Sequence, residues 1–370
     1  MAKLAWRNLT QQPLRFAISA GGVALAVVLI LAMSGVFAGS EEHAVLYMRN
    51  QPAELWGMQA GVSNLHMSSS ILSEETVQQI QQFPGVEQAI GVLYASAGVD
   101  VGETEIYSYV IGIDPNAPYG GPWSLVEGNG SPGLNEIAID RDLAYRYGLT
   151  LGDTVSILGY PLTITGLSEG TFGIATNVVF VNKTAMALLM DVSPQSASYV
   201  LIEPKTDTNV NSLENALNST IRDANIMSRA NFIGSDQEMI RQMGADILQM
   251  MNVIAYIIGL LIIGITVYTA TLERAREFGV LKAIGANTRQ LVSTVFIQSY
   301  LIAGIGFSAG IGLAYLVSIL VARLSPEILI LIEPRQWLSQ LPVLVIVTGV
   351  ASLLPVQRIR SIDPLIVFKA

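Results

Sequence analysis

The sequence predicts an α-helical membrane protein with four transmembrane helices and an α+β extracytoplasmic domain inserted between the first and second. Three observations predict it. Charged residues are only 13% of the chain, about half the share of a soluble domain. They vanish from four runs, 16–40, 247–272, 290–322 and 336–357. Between the first two runs lies a long acidic stretch with alternating helix and strand patterns.

Each uncharged run exceeds the roughly 20 residues that a helix needs to cross about 30 Å of hydrocarbon. Backbone polar groups in lipid must be satisfied within the segment, so the runs are helices. The spans fall at 14–38, 247–272, 290–322 and 336–357. The third is long enough to tilt or project. The first starts basic and ends in small residues. It is longer than the 7–15 apolar residues of a signal peptide, so it reads as a retained anchor.

Charge orients the chain. The stretch 39–246 holds 8 Lys and Arg against 24 Asp and Glu, a net of −16. The N-terminal piece, the loop between the second and third spans and the C-terminal tail together hold 10 basic and 3 acidic residues, a net of +7. The loop at 323–335 is neutral. Basic short loops mark the cytoplasmic side. Both termini and the loop at 273–289 are therefore expected inside, facing anionic lipid. The acidic stretch is expected outside.

In chain order, residues 1–13 read as an amphipathic helix on the inner membrane face, with Leu4, Trp6 and Leu9 beside Lys3 and Arg7. In the outer stretch, 73–82 reads as a helix capped by Ser73 and closed by Pro84-Gly85. Residues 86–97 and 105–113 read as strands, and the Pro- and Gly-rich 114–133 as an irregular crossover. Strands follow at 136–139, 154–158, 162–167 and 178–181, with helices at 140–147 and 183–190. A strand at 199–202, a helix at 210–222 and a strand at 225–228 then return the chain. Residues 115–195 therefore look like an inserted subdomain. Residues 235–241 continue helically toward the second span, as a rigid rod or with a flexible juncture near Gly244. The short outer loop 323–335 joins spans three and four, and 358–370 is a cytoplasmic tail.

Several chemistries are excluded or disfavoured. With no cysteine there is no disulfide, thiolate metal site or cysteine nucleophile. His43 and His66 stand alone, whereas a metal site needs three or four clustered ligands. No Gly-Lys dipeptide occurs, so no P-loop exists, and no H-E-x-x-H is present. The one G-x-S-x-G match, at 306–310, lies inside an uncharged run and reads as chance. The four uncharged runs hold no Asp, Glu, Lys, Arg or His, which argues against an ion-coupled carrier. No catalytic residue, cofactor or metal site is expected in this chain, and no nucleic-acid partner.

Two features remain. In the third span, Gly304, Ser308 and Gly312 recur at spacing four, with Gly306, Gly310 and Ala314 on a neighbouring row. Small residues let helices approach closely, either at a dimer seam or within one subunit. The inside loop reads E-R-A-R-E-F-G-V-L-K-A-I-G-A-N-T-R-Q-L from 273 to 291. Phe278, Leu281 and Ile284 recur at spacing three, and Gly279 and Gly285 permit chain reversals. A short helix there presents apolar residues to a cytoplasmic partner, or the loop serves only topology.

At this loop, Arg276-Glu277-Phe278-Gly279-Val280-Leu281-Lys282-Ala283-Ile284-Gly285-Ala286 resembles the R-E-[I/F]-G-x-[L/R]-[K/R]-A-[I/L]-G-A signature of the FtsX-like/MacB-like (type VII) ABC transporter permeases. Trp6-Arg7-Asn8-Leu9 with Pro13-Leu14-Arg15 is similar to that family's entry motif. Asn135-Glu136-Ile137-Ala138-Ile139 through Gly148-Leu149-Thr150-Leu151-Gly152-Asp153-Thr154 resembles its outer-domain strand and turn, and Ile362-Asp363-Pro364-Leu365 its closing motif. The resemblance implies a permease without its own ATPase, in a bacterial inner or plasma membrane. It implies that ATP and Mg are held by a separate cytoplasmic ATPase dimer. Arg276, Glu277, Phe278, Gly279, Leu281, Lys282, Ile284 and Gly285 then form the coupling helix. A second permease copy or paralogue is the other implied partner, with a periplasmic adaptor or envelope protein as a further one. The outer stretch corresponds to a MacB-like periplasmic core domain that moves with ATP hydrolysis. Two readings stay open: ATP-driven export, efflux or lipoprotein release, and an FtsX-type regulator that activates an envelope hydrolase.

Overall fold

The computed structural model describes residues 13–102, 104–173, 177–273, 280, 282, 286–325, 328–353 and 356–357. The expected N-terminal amphipathic helix and the C-terminal tail lie outside the described residues. The chain divides into two compact units, one comprising 1–38, 244–324 and 330–370, the other 39–243 with 325–329.

The first unit is helical. Its elements come from α1 (Pro13–Ala44), α7 (Arg229–Glu273), α8 (Thr288–Leu324) and α9 (Pro334–Ala351). Among the described residues, three segments are long and apolar enough to cross a membrane: Phe16–Ala44, Asp246–Ile265 and Thr288–Leu324. Most of the fourth expected segment, 336–357, falls in helix α9, whose 18 residues begin with Pro334-Arg335-Gln336 and carry Gln340 and Pro342. That polar first half leaves it below the apolarity of the other three. The apolar residues divide by side. Val23, Val27, Leu31, Ile263, Val295, Ile302 and Phe307 form one buried cluster. Ile247, Met250, Ile254, Ile257, Leu261 and Ile265 form an exposed stripe along α7 at helical spacing, as a lipid-facing surface requires. Helix α7 is unbroken at Gly244. There a Cβ would collide with the ring of Phe37, so this glycine serves close packing of α7 on α1 rather than a hinge.

The second unit is α+β. A ten-stranded mixed sheet has the order β10-β1-β9-β2-β3-β8-β5-β7-β4, with β6 pairing β2 and β7. Its strands are β1 (Leu55–Gln59), β2 (Val86–Val101), β3 (Thr104–Ile113), β4 (Leu125–Gly128), β5 (Glu136–Asp140), β6 (Thr154–Ile157), β7 (Tyr160–Ser168), β8 (Val178–Asn182), β9 (Tyr199–Pro204) and β10 (Ala224–Ser228). The helices here are α2 (Leu46–Asn50), α3 (Glu74–Gln81), α4 (Arg141–Tyr147), α5 (Lys183–Met190) and α6 (Val210–Thr220). Strand β2 is the shared element. Its first half pairs antiparallel with β9 and its second half with β3. The block expected at 115–195 thus shares one sheet with β2 and β3, because β8 runs parallel to β3 and β6 pairs β2 at Val99 and Asp100.

Local chemistry fixes the helix ends. Ser73 Oγ accepts from Thr76 N at 3.2 Å before α3, Asp140 from Asp142 N at 2.7 Å before α4, and Asn182 from Thr184 N at 2.9 Å before α5. Each satisfies an orphan N–H of the first turn. Gly148 ends α4 at φ +67°, the left-handed conformation that glycine adopts without strain.

Candidate functional site

In the permease unit, the expected coupling residues Arg276, Glu277, Phe278, Gly279, Leu281, Ile284 and Gly285 lie outside the described residues. Lys282 is helical and half-buried. The structure does define how the loop ends. Asn287 Oδ1 accepts from Arg289 N at 3.1 Å, and Gln290 Oε1 accepts from Asn287 N at 3.1 Å. This reciprocal pair is a capping box, and it fixes where α8 begins. Asn-Thr-Arg-Gln carries that signal in sequence, and reading the stretch only for apolar spacing misses it.

The two small-residue rows of α8 have different surroundings. Gly306, Gly310 and Ala314 are buried. A Cβ at Gly306 would lie 2.7 Å from both Ala20 O and Val23 Cβ, and one at Gly310 would lie 2.7 Å from Val27 Cβ and 2.9 Å from Ala24 O. This row is the seat of α1. Gly304, Ser308 and Gly312 face outward. A Cβ at Gly304 or Gly312 would meet nothing within 4 Å, and Ser308 Oγ donates back to Gly304 O at 2.9 Å.

The α+β unit carries two features absent from the sequence reading. The first ties α7 to the segment before α3. Asp236 is fully buried and accepts from Leu65 N at 2.8 Å, His66 N at 3.2 Å and the His66 ring at 2.5 Å. His66 packs edge-on against Tyr109, which stacks on Tyr94 at 5.6 Å between ring centroids. Burial raises the pKa of Tyr94 and Tyr199, and it pushes Tyr109 up to about 12 with help from Tyr107 and Asp236. His66 is therefore a packed, acid-bound histidine. The second feature is a polar cleft of about 520 Å³ between α3, the segment following β3 and the start of α5. Among the described residues no group of three or more His, Asp or Glu is placed to hold a metal ion.

Long apolar helices, with an α+β domain inserted after the first, define a polytopic membrane protein. The MacB-like periplasmic core domain model matches residues 16–220, and the FtsX-like permease C-terminal model matches residues 250–364. The chain belongs to this family of ABC transporter permeases. It is 23% identical over 367 residues to a Mycobacterium bovis protein described as an uncharacterized ABC transporter permease, covering 98% of each chain. It is 23% identical to a putative hemin transport system permease protein, HrtB, of Staphylococcus haemolyticus, covering 98% of this chain and 97% of that one. The pyoverdine export ATP-binding/permease protein PvdT of Pseudomonas fluorescens is 24% identical, and the match covers 97% of this chain and 58% of PvdT. Among solved structures, the periplasmic region of MacB from Actinobacillus actinomycetemcomitans aligns at 13% identity and a TM-score of 0.38, covering 52% of this chain and 96% of that one.

Proposed function

We propose that this chain is the membrane subunit of an ABC exporter, driven by a separate cytoplasmic ATPase dimer that binds ATP and Mg. In this reading α9 is the fourth span and both termini are cytoplasmic. The loop at 273–289 docks on the ATPase, with Phe278, Leu281 and Ile284 as anchors, and passes its motion to the periplasmic core domain. The outward row Gly304, Ser308 and Gly312 seats a second copy or a paralogue. The observation that carries the reading is the FtsX-like permease match over residues 250–364. That stretch contains the R-E-F-G-V-L-K-A-I-G-A loop, in a chain with no P-loop of its own. The relatives named for hemin transport and pyoverdine export favour export over control of an envelope hydrolase.

The test is co-purification with the ATPase encoded alongside. Truncating a buried anchor removes about 2–4 kcal/mol, roughly 30- to 1,000-fold in affinity. Phe278→Ala is expected to lose the ATPase while still inserting in the membrane. Lys282→Glu, a rim charge, is expected to do less and to depend on salt. Undiminished capture by Phe278→Ala would sink the coupling assignment.

A further inference from the structure

We propose that the polar cleft of the periplasmic core domain is a binding site for a small zwitterion of the amino-acid or short-peptide class, with the ligand carboxylate on Lys183. The inference stands on this domain alone and goes beyond the pairing with an ATPase. The cleft lies between α3 and α5, and its volume of about 520 Å³ falls within the range of small-molecule sites, about 300–1,000 Å³.

Lys183 is the one cation among the residues lining it. Lys183 is half-buried, and that burial lowers its pKa while the field of Asp114 opposes the shift. It makes no hydrogen bond or ion pair with any described residue. Even partial desolvation of an ammonium is unfavourable unless something replaces the lost water, and here the open side of the cleft is where such a group can come from. The surrounding backbone is shaped to admit this amine. A Cβ on Gly91 of β2 would lie 3.2 Å from Lys183 Nζ, and one on Gly112 of β3 would lie 3.2 Å from Lys183 Cα. Two glycines on adjacent strands thus let α5 settle on the sheet and leave room for its lysine.

The rest of the lining selects the ligand. Two carboxylates, Asp114 and Glu74, share the cleft with the single ammonium. A polyanion would be repelled by them, and a simple cation would leave Lys183 unmatched. A ligand with one carboxylate and one ammonium satisfies both signs. Asp114 Oδ1 is engaged by Asn116 N at 2.9 Å, which leaves its second oxygen for a donor. The carboxamides of Gln78, Asn116 and Gln195 also line the space, and such groups both donate to and accept from peptide bonds.

The probe is triglycine, titrated by calorimetry into the full-length chain in detergent. Saturable binding is expected. N-acetyl-triglycine amide, which lacks both terminal charges, is expected to bind at least tenfold more weakly. Lys183→Met should weaken triglycine at least tenfold without lowering the thermal midpoint, since it removes a half-buried charge that makes no hydrogen bond with the described residues and keeps the apolar stem. Asp114→Asn, which keeps the shape of the cleft, should also weaken triglycine. It provides a second measure should Lys183→Met fail to fold. Absence of saturable triglycine binding overturns the proposal, as does equal binding of the blocked peptide or undiminished binding by both variants.

Discussion

At the scale of single residues, the polar groups buried in the core domain decide the most. Asp236 is satisfied by two backbone N–H groups and one imidazole, so its desolvation is met by three donors. Tyr199 adds a bond from its hydroxyl to Asn64 O at 3.0 Å, which secures the same segment. Around them the tyrosines have raised pKa values, and the sign of their linkage follows. A tyrosine neutral in the fold and ionisable near pH 10 when unfolded contributes stability that is fully present below about pH 10. That stability is lost as pH climbs toward the native value, which for Tyr109 is about 12. An alkaline titration followed by tyrosinate absorbance and circular dichroism is expected to show Tyr94, Tyr109 and Tyr199 ionising together with unfolding. Tyr109→Phe should shift unfolding to higher pH. Ionisation of this cluster in a fully folded domain near pH 10 would contradict the burial described. None of this was readable in the sequence, because 170 residues separate His66 from Asp236 and neither sits in a recognisable motif.

Among secondary-structure elements, legibility tracked how local the signal is. The helix over 73–82 was readable because Ser73, the two glutamates and Pro84-Gly85 act within a few residues. The structure places it at Glu74–Gln81, with Ser73 as its cap. Strand β1 was missed. Leu-Trp-Gly-Met-Gln is a short run, and both its partners, β9 and β10, lie far downstream. Strand β4 was hidden in the Pro- and Gly-rich segment read as irregular. On α8 the sequence showed two small-residue rows, and only packing tells them apart. The buried row predicts a sharp asymmetry. Gly306→Val or Gly310→Val would drive a side chain into α1, with overpacking of about 1–3 kcal/mol or more. Gly304→Val and Gly312→Val enter open space. Thermal unfolding of the detergent-solubilised chain should therefore fall for the first pair and hold for the second. If the outward row seats a second copy, the second pair should instead weaken association in a crosslinking assay. Equal thermal destabilisation by both pairs would refute the assignment of the buried row to α1.

Across the whole molecule, the distribution of charge sets the expected topology. The apolar segments Phe16–Ala44, Asp246–Ile265 and Thr288–Leu324 supply the membrane part, and their flanks carry the sign of each side. The loop at 273–289 is basic, and the 39–246 stretch has a net charge of −16. Lys and Arg near the ends of spans favour the cytoplasmic face, so the core domain is expected on the opposite side from Thr288. The lack of native cysteine makes this directly measurable. Ser219 is exposed at the end of α6 and Ser131 is half-buried in the loop before β5, whereas Thr288 opens α8. Ser131→Cys and Ser219→Cys should react with a membrane-impermeant maleimide in intact cells. Thr288→Cys should react only after permeabilisation. A further pair tests α9. Glu333 directly precedes its first residue and Gln357 lies six residues beyond its last, Ala351, so a crossing helix places the two on opposite faces. Glu333→Cys should then label from outside and Gln357→Cys only from inside. Labelling of both ends from one side would reduce the chain to three crossings and place the C-terminal tail on the side opposite the loop at 273–289. Labelling of position 288 in intact cells, with positions 131 and 219 protected, would invert the orientation altogether.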